Sequence, residues 1–336
     1  LIIGDILYKL LQPITAEELK KAVAFYSDRT KKQNAKPGDT LMHIRFDMIK
    51  NNYLFSEKAL LKDLKKVNEK SFNQFVDKLL AVDKIRILTY GSYSKEEVEA
   101  ISALLNEFTK KLPKPVQRDY VTRFNNRLEN NKIYQLNEKR PNSDEQAFLN
   151  AYIDSKPGIE SKASMIVYVM LVNASEKKIK SLGIQDHNIA LSYRELGEYP
   201  AIVFSTQSKG SLQNMNESLN QYIKETYTTF ERMNKYSFEE AKEDLIKQVD
   251  QTIKNLESDL NYHVSNWLHH TPEEKDRIAV IKHIEKVTLD DVKDLYKRLI
   301  KDEKGTRVII QLLGEKSTNK DKRFKMFKDS IIIKPL

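Results

Sequence analysis

Six histidines, His43, His187, His263, His269, His270 and His283, are the side chains of this chain best suited both to ligate a metal and to carry a proton near neutral pH. There is no cysteine, so thiolate nucleophiles, Cys-ligated zinc, iron–sulfur clusters and disulfides are excluded. A helical zinc site needs two histidines one turn apart with a carboxylate base between them, as HExxH or the inverted HxxEH. Neither string occurs. The nearest is His270-Thr271-Pro272-Glu273-Glu274, in which the second ligand is missing. Thr271 as N-cap with Pro272 at the first helical position accounts for that string better as a helix start. His263, Trp267 and His270 stand at i, i+4 and i+7, one face of a helix, where contact with a partner helix is the preferred reading. Asp290-Asp291 point to different sides of their helix and read as first-turn acids, favourable at the positive end of the helix dipole. With no GxxxxGK[ST] loop, GxGxxG turn or GxSxG elbow either, local chemistry does not make this chain a complete enzyme.

The elements that would position these groups come from a chain of 336 residues, a length that favours two domains. Forty per cent apolar and 31% charged residues fit an ordinary globular protein, and only 9 Gly and 9 Pro favour helix. The formal charge of +9 is spread among interleaved acids, as expected of solvated helix surface. The tail Lys320, Lys322, Arg323, Lys325 and Lys328 departs from this and reads first as a solvated tail, second as a contact for an acidic partner. Apolar runs such as Met165 to Val172 are far shorter than the ~18–20 residues of a membrane-spanning helix. A soluble chain of open compartment is expected, and a start at Leu1 without a signal-peptide pattern reads as a processed or internal end.

A repeat organises the chain. His43 to Leu80 lies on His263 to Ile300 at a constant offset of 220 over 38 positions without a gap. Leu60 falls on Val280, Leu64 on Ile284, Phe72 on Val292, Phe75 on Leu295, and Leu79-Leu80 on Leu299-Ile300. Arg86 to Gly91 then matches Arg307 to Gly314 after a small insertion, so each copy is expected to run helix, helix, strand, glycine turn. In the first unit Thr15-x-x-Glu18 and Ser94-x-x-Glu97 are capping boxes. Phe72, Phe75, Val76, Leu79 and Leu80 form one stripe expected to be buried, Ile85 to Tyr90 a short strand, and Val98, Ile101, Leu104, Leu105 and Phe108 the inner face of the helix after Ser94. The break at Lys111-Leu112-Pro113-Lys114-Pro115 places the domain boundary, giving domains 1–115 and 116–336.

In the second unit, strands are expected over Arg118 to Phe124, Ile133 to Leu136, and Gln146 to Ile153 with alternating polarity. Then come a helix from Ser161, an irregular stretch, a strand Ala201 to Thr206, and a helix carrying Leu219, Tyr222, Ile223 and Phe230. Ser237-x-x-Glu240 should cap a long helix towards Trp267, and Thr288 should start the last. Without strict alternation, this is α+β and not a doubly wound sheet.

The run Ser237 to Lys242 through Trp267, Val280 to Val287, Thr288-Leu289-Asp290-Asp291-Val292, Tyr296 and Val308 to Gly314 resembles the closing domain of the pitrilysin/insulinase family of inverted-motif zinc endopeptidases. Lys132 to Ile153 followed by Ser161 to Glu176 is similar to the start of that domain, and Phe72 to Gly91 with the helix after Ser94 to the end of the preceding one. The likeness spans roughly Ala16 to Gly314 and rests on diffuse patterns. It implies two related mixed-sheet-plus-helices domains of the metallopeptidase LuxS/MPP-like type: the latter part of the third family domain over 1–115, hence incomplete, and the fourth over 116–336 with its basic tail.

The resemblance implies a non-catalytic C-terminal half that walls a peptide chamber, with zinc and its HxxEH motif in an N-terminal half, in the same polypeptide or another. On that reading this chain binds no metal itself, is inactive alone, and has that half and peptides as partners. Family members carry an Arg and a Tyr seven apart that hydrogen-bond the substrate or oxyanion. Arg194 and Tyr199 are the nearest match but stand five apart, and an alternative alignment from Ile179 to Leu182 puts Gly183 at the Arg position. The rival readings are a catalytically inactive peptide-binding or scaffold subunit of the same fold and, disfavoured, a basic nucleic-acid module. No membrane partner is expected.

Overall fold

The computed structural model describes residues 9, 11–34, 37–51, 57–81, 88–114, 128–140, 143–155, 158–175, 188–196, 199–250, 260, 264, 273–317 and 324–333. The chain divides into two compact units, the first holding Leu1–Gln33, Phe55–Thr122 and Lys254–Thr271, the second Asn34–Leu54, Arg123–Ile253 and Pro272–Leu336. A single cut after residue 115 does not reproduce this division, because Asn34–Leu54 belongs with the second unit and Lys254–Thr271 with the first.

The first unit contains α1 (Ala16–Asn34), α3 (Glu57–Leu64), α4 (Glu69–Leu80) and α5 (Lys95–Thr109). Both expected capping boxes form. Thr15 Oγ1 accepts from the Glu18 N–H at 3.3 Å and Ser94 Oγ from the Glu97 N–H at 3.2 Å, while each glutamate accepts from its cap's N–H in return. A third box joins Asn68 and Ser71 at the start of α4. The stripe on α4 is where expectation and structure part: no residue of this helix is buried, and Phe75 and Leu79 are 58% and 55% exposed. On α5 only Phe108 is buried. Of the expected strand, Ile85 to Ile87 lie outside the described residues and Leu88 to Tyr90 form none. Gly91 follows with φ of 127°, a backbone that side chains resist.

The second unit is built on one mixed sheet. Its strands are β1 (Ile133–Arg140), β2 (Gln146–Ile153), β3 (Asn188–Leu196), β4 (Tyr199–Ser208), β5 (Thr306–Gly314) and β6 (Ser330–Ile333), in the order β3-β4-β2-β5-β1-β6. The pairs β3/β4, β4/β2 and β2/β5 are antiparallel, and β5/β1 and β1/β6 parallel. Strands β3 and β6 were not expected: the former falls in the stretch read as irregular, and the latter follows the basic tail residues without having been assigned an element. Arg118 to Phe124 lies outside the described residues.

One sheet face carries α6 (Ile159–Ala174), α7 (Leu212–Arg232), α8 (Lys235–Asp250), α9 (Glu273–Lys286) and α10 (Leu289–Tyr296), the last running into a π-helical turn at Lys297–Lys301. The core there includes Phe148, Tyr168, Phe204, Leu219, Phe230, Phe238, Ile284 and Leu299, each at most 1% exposed. Here the repeat's second stripe, Val292, Leu295, Tyr296, Leu299 and Ile300, is buried throughout. Thr288 and Asp291 form the box equivalent to Asn68 and Ser71 at the offset of 220. The helix expected to be capped by Ser237 starts at Lys235 instead, with Asn234 Oδ1 accepting from the Ser237 N–H at 2.8 Å.

The opposite face carries α2 (Gly38–Asn51), whose Leu41, Met42, Phe46 and Ile49 are 0–3% exposed against Leu136, Leu149, Val203, Val308 and Ile310. This is why all eight residues of β2 are buried, where alternating polarity had implied a wet face.

Candidate functional site

The expected site residues lie on the β3–β4 hairpin, which α2 accompanies on one side. Antiparallel register pairs Arg194 with Ala201 and Leu196 with Tyr199, and directly opposed residues project to the same face. Leu196 and Ala201 belong to the cluster under α2, and Tyr199 packs against it. Arg194 and Tyr199 therefore share the α2 side of the sheet. Arg194 is exposed on an edge strand and Tyr199 half-buried.

The structure adds His43 to this pair. Its half-buried ring lies on α2, and its Nδ1 is buried with no hydrogen-bond partner among the described residues. Burial first, and the Arg194 guanidinium second, hold its pKa below the usual imidazole value, while Asp47 and Asp39 pull the other way. His43 thus feels the Arg194 charge, and Tyr199 lies on the same side of the sheet, so that imidazole, guanidinium and phenol together offer donors to carbonyl or carboxylate oxygens.

Around this margin α2 is anchored by charge and close contact. Arg45, buried, grips Glu138 with Nε–Oε2 at 2.6 Å and Nη2–Oε1 at 2.7 Å, a bidentate pair that fixes orientation as well as position. At the helix start Gln207 accepts from the Asp39 N–H at 2.8 Å and donates to Glu145 at 2.7 Å. A Cβ on Gly38 would come within 2.8 Å of Ala147, Arg140 and Gln207, so only glycine lets the helix approach so closely. Burial lowers the Arg140 pKa, opposed by Glu145, Asp39 and Glu138.

Of the other histidines singled out, His187, His263, His269 and His270 lie outside the described residues, as does Trp267. His283 sits on α9 with Nδ1 2.7 Å from the Ala279 carbonyl. Asp291 is a capping residue. Among the described residues no three His, Asp or Glu side chains gather as a metal site, and no helix is long and apolar enough to cross a membrane.

A mixed sheet with a helical layer on one face and a single helix on the other is the fold of the pitrilysin-type peptidases. Pitrilysin itself is similar over 96% of this chain with a TM-score of 0.79 at 13% identity, and this chain covers 34% of pitrilysin's length. A protease from Helicobacter pylori is similar over 88% of this chain and 73% of its own, with a TM-score of 0.60 at 8% identity. The first half of the periplasmic protease PqqL from Escherichia coli gives 89% and 66%, with a TM-score of 0.57 at 13% identity. No protein-family profile and no curated protein sequence matches the chain. The α+β class and the resemblance read from the sequence are borne out at the level of fold.

Proposed function

We propose that this chain is the C-terminal, non-catalytic half of a pitrilysin-like zinc metalloendopeptidase, comprising the latter part of the third family domain and the whole fourth. The observation that carries this reading is the likeness to pitrilysin over nearly the whole chain, joined to a sequence without HxxEH. Zinc, its water-activating Glu and the scissile bond would sit in the N-terminal half, where the metal would supply Lewis-acid activation of the attacking water. This half would line a peptide chamber with α2 and the β3–β4 margin, and Arg194, Tyr199 and His43 would meet backbone oxygens of the peptide.

The α4 stripe supports incompleteness of the first domain. Phe75 and Leu79 are more than half exposed, whereas their equivalents Leu295 and Leu299 are buried on a sheet. In the assembled protein a sheet supplied by the remainder of that domain would cover them. The test is to mix the purified chain with a zinc-bearing N-terminal half and follow cleavage of a peptide. Activity well above that of the N-terminal half alone is expected, and no gain would overturn the proposal. The five-residue Arg194-to-Tyr199 spacing favours a second reading, a peptide-binding subunit without turnover. Peptide binding with no hydrolysis in the complete assembly would support it.

A further inference from the structure

On the helical side of the sheet, away from α2, the second unit has a cavity of about 390 Å³ that the proposed function does not use. Its floor is Arg307, at the start of β5 and only 8% exposed. The guanidinium is held by two hydrogen bonds and two aromatic contacts. Nε donates to Asn150 Oδ1 at 2.7 Å and Nη1 to Glu303 at 3.1 Å. The Tyr152 and Phe327 rings also lie against it, each centroid 5.2 Å from Cζ. Nη2 has no hydrogen-bond partner among the described residues. A planar cation fixed in this way is a preorganised fork for a carboxylate.

The opposite wall is α7, where Asn216 lines the cavity. It is 2% exposed, its Oδ1 is buried without a partner, and its carboxamide makes no hydrogen bond among the described residues. Buried amides are rarely left so, and this one can both donate to and accept from a ligand. The third wall is the segment Phe324 to Lys328, part of the basic tail read as solvated. Lys325 is tied down through its backbone. Its N–H donates to Gln311 Oε1 at 3.0 Å, and its carbonyl accepts from Gln135 at 2.8 Å and Gln311 at 2.6 Å. Lys325, whose Nζ lies 5.5 Å from the Phe327 ring centroid, and Lys328 line the cavity with Arg307, against one acid, Glu303. Tyr152, Tyr296 and Phe327 supply an apolar lining.

We propose that this cavity binds a small carboxylate of the N-acyl amino acid class, the chemistry also presented by a peptide's C-terminal residue. The carboxylate meets Arg307 Nη2 and the lysines, the amide meets Asn216, and an apolar side chain lies among the aromatic rings.

The test uses the full chain and N-acetyl-L-phenylalanine, titrated by calorimetry at low salt. Dissociation constants of about 0.1–1 mM are expected, weakened about tenfold or more by K325Q/K328Q and by N216D, and rising with salt. Both lysines lie on the surface segment, so that variant tests binding without touching the core. N-acetylphenylalaninamide, lacking the charge, should not bind, and a short peptide ending in free Phe should compete. No heat at about 10 mM ligand, equal binding of acid and amide, or full affinity in K325Q/K328Q would each overturn the proposal. So would binding of inorganic phosphate alone, which would reduce the cavity to an adventitious anion site.

Discussion

The repeat allows one experiment in which sequence context is matched and burial is not. Leu79 and Leu299 occupy equivalent positions at the offset of 220, each near the end of a helix that opens with the same kind of capping box. Leu299 is fully buried, whereas Leu79 is 55% exposed. Truncating Leu299 to Ala removes apolar contacts and leaves a cavity, costing about 2–5 kcal/mol. At Leu79 much of the side chain is already in water and solvent fills the space, so the same change should cost under about 1 kcal/mol. The two residues lie in different compact units, so one global midpoint would mix two transitions. Urea titration should therefore be paired with hydrogen exchange on peptides from α4 and α10. Loss of protection around α10 in L299A, with α4 nearly unchanged in L79A, is the expected outcome. Equal losses would refute the reasoning, because they would mean that the α4 stripe is covered in the isolated chain.

Asp154 is completely buried and held by Arg298 through two contacts of 2.7 Å, with Ser161 Oγ donating as well. R298A should therefore cost about 3–5 kcal/mol in urea denaturation, and R298M/D154L should recover much of it. Lys242, 5% exposed, donates from Nζ to the Glu285 and Val287 carbonyls, each at 3.0 Å, so K242M should lower stability by about 1–3 kcal/mol and release the C-terminus of α9 to exchange. Burial, with the Arg194 charge behind it, holds the His43 imidazole below its usual pKa in the folded chain, so the unfolded state takes up the proton first as pH falls. Stability should then be flat above the unfolded value and decline below it, and H43Q should flatten that decline between about pH 7 and 5. Since the Arg194 charge disfavours the imidazolium, R194Q should raise the His43 pKa in an NMR titration, and an unchanged value would separate the two residues.

Helix starts were the most legible part of the sequence, because a capping box is a contact between residues three apart and needs no tertiary information. Thr15, Ser94 and Thr288 all form as spaced. The failure at Ser237 is instructive: Asn234, three residues earlier, is the better acceptor and takes the role. The α4 stripe and β2 mark the limit. Periodicity states which residues share a face, not what covers that face, and in this chain the covering element comes from a distant segment. Hence β2 is dry on both sides because residues 38–51 return to it, and α4 is wet although its pattern matches that of a buried helix. At the candidate site, Arg194 and Tyr199 were legible as residue types. The nearness of His43 was not, since it depends on α2, roughly 150 residues earlier in the sequence, packing on β2, β4 and β5.

Polar residues within apolar strands carried more information than the sequence reading drew from them. Gln135, Asn150, Arg307 and Gln311 are each at most 8% exposed, at strand positions where an apolar residue would cost nothing. All four act on the helical side. Gln135 and Gln311 clamp the backbone of Lys325, and Asn150 orients the Arg307 guanidinium. Burying these groups is tolerable only because each finds a partner, and the partners of two of them are backbone atoms of the tail. The tail is thus held by the sheet interior and not by its own charges. Removing the clamp, as in Q135L/Q311L, keeps the apolar volume but deletes the donors that fix Lys325. It should loosen residues 324–333 in hydrogen exchange while sparing β2 and β4. Protection of that segment undiminished in the double variant would mean that pairing of β6 with β1 alone holds it in place.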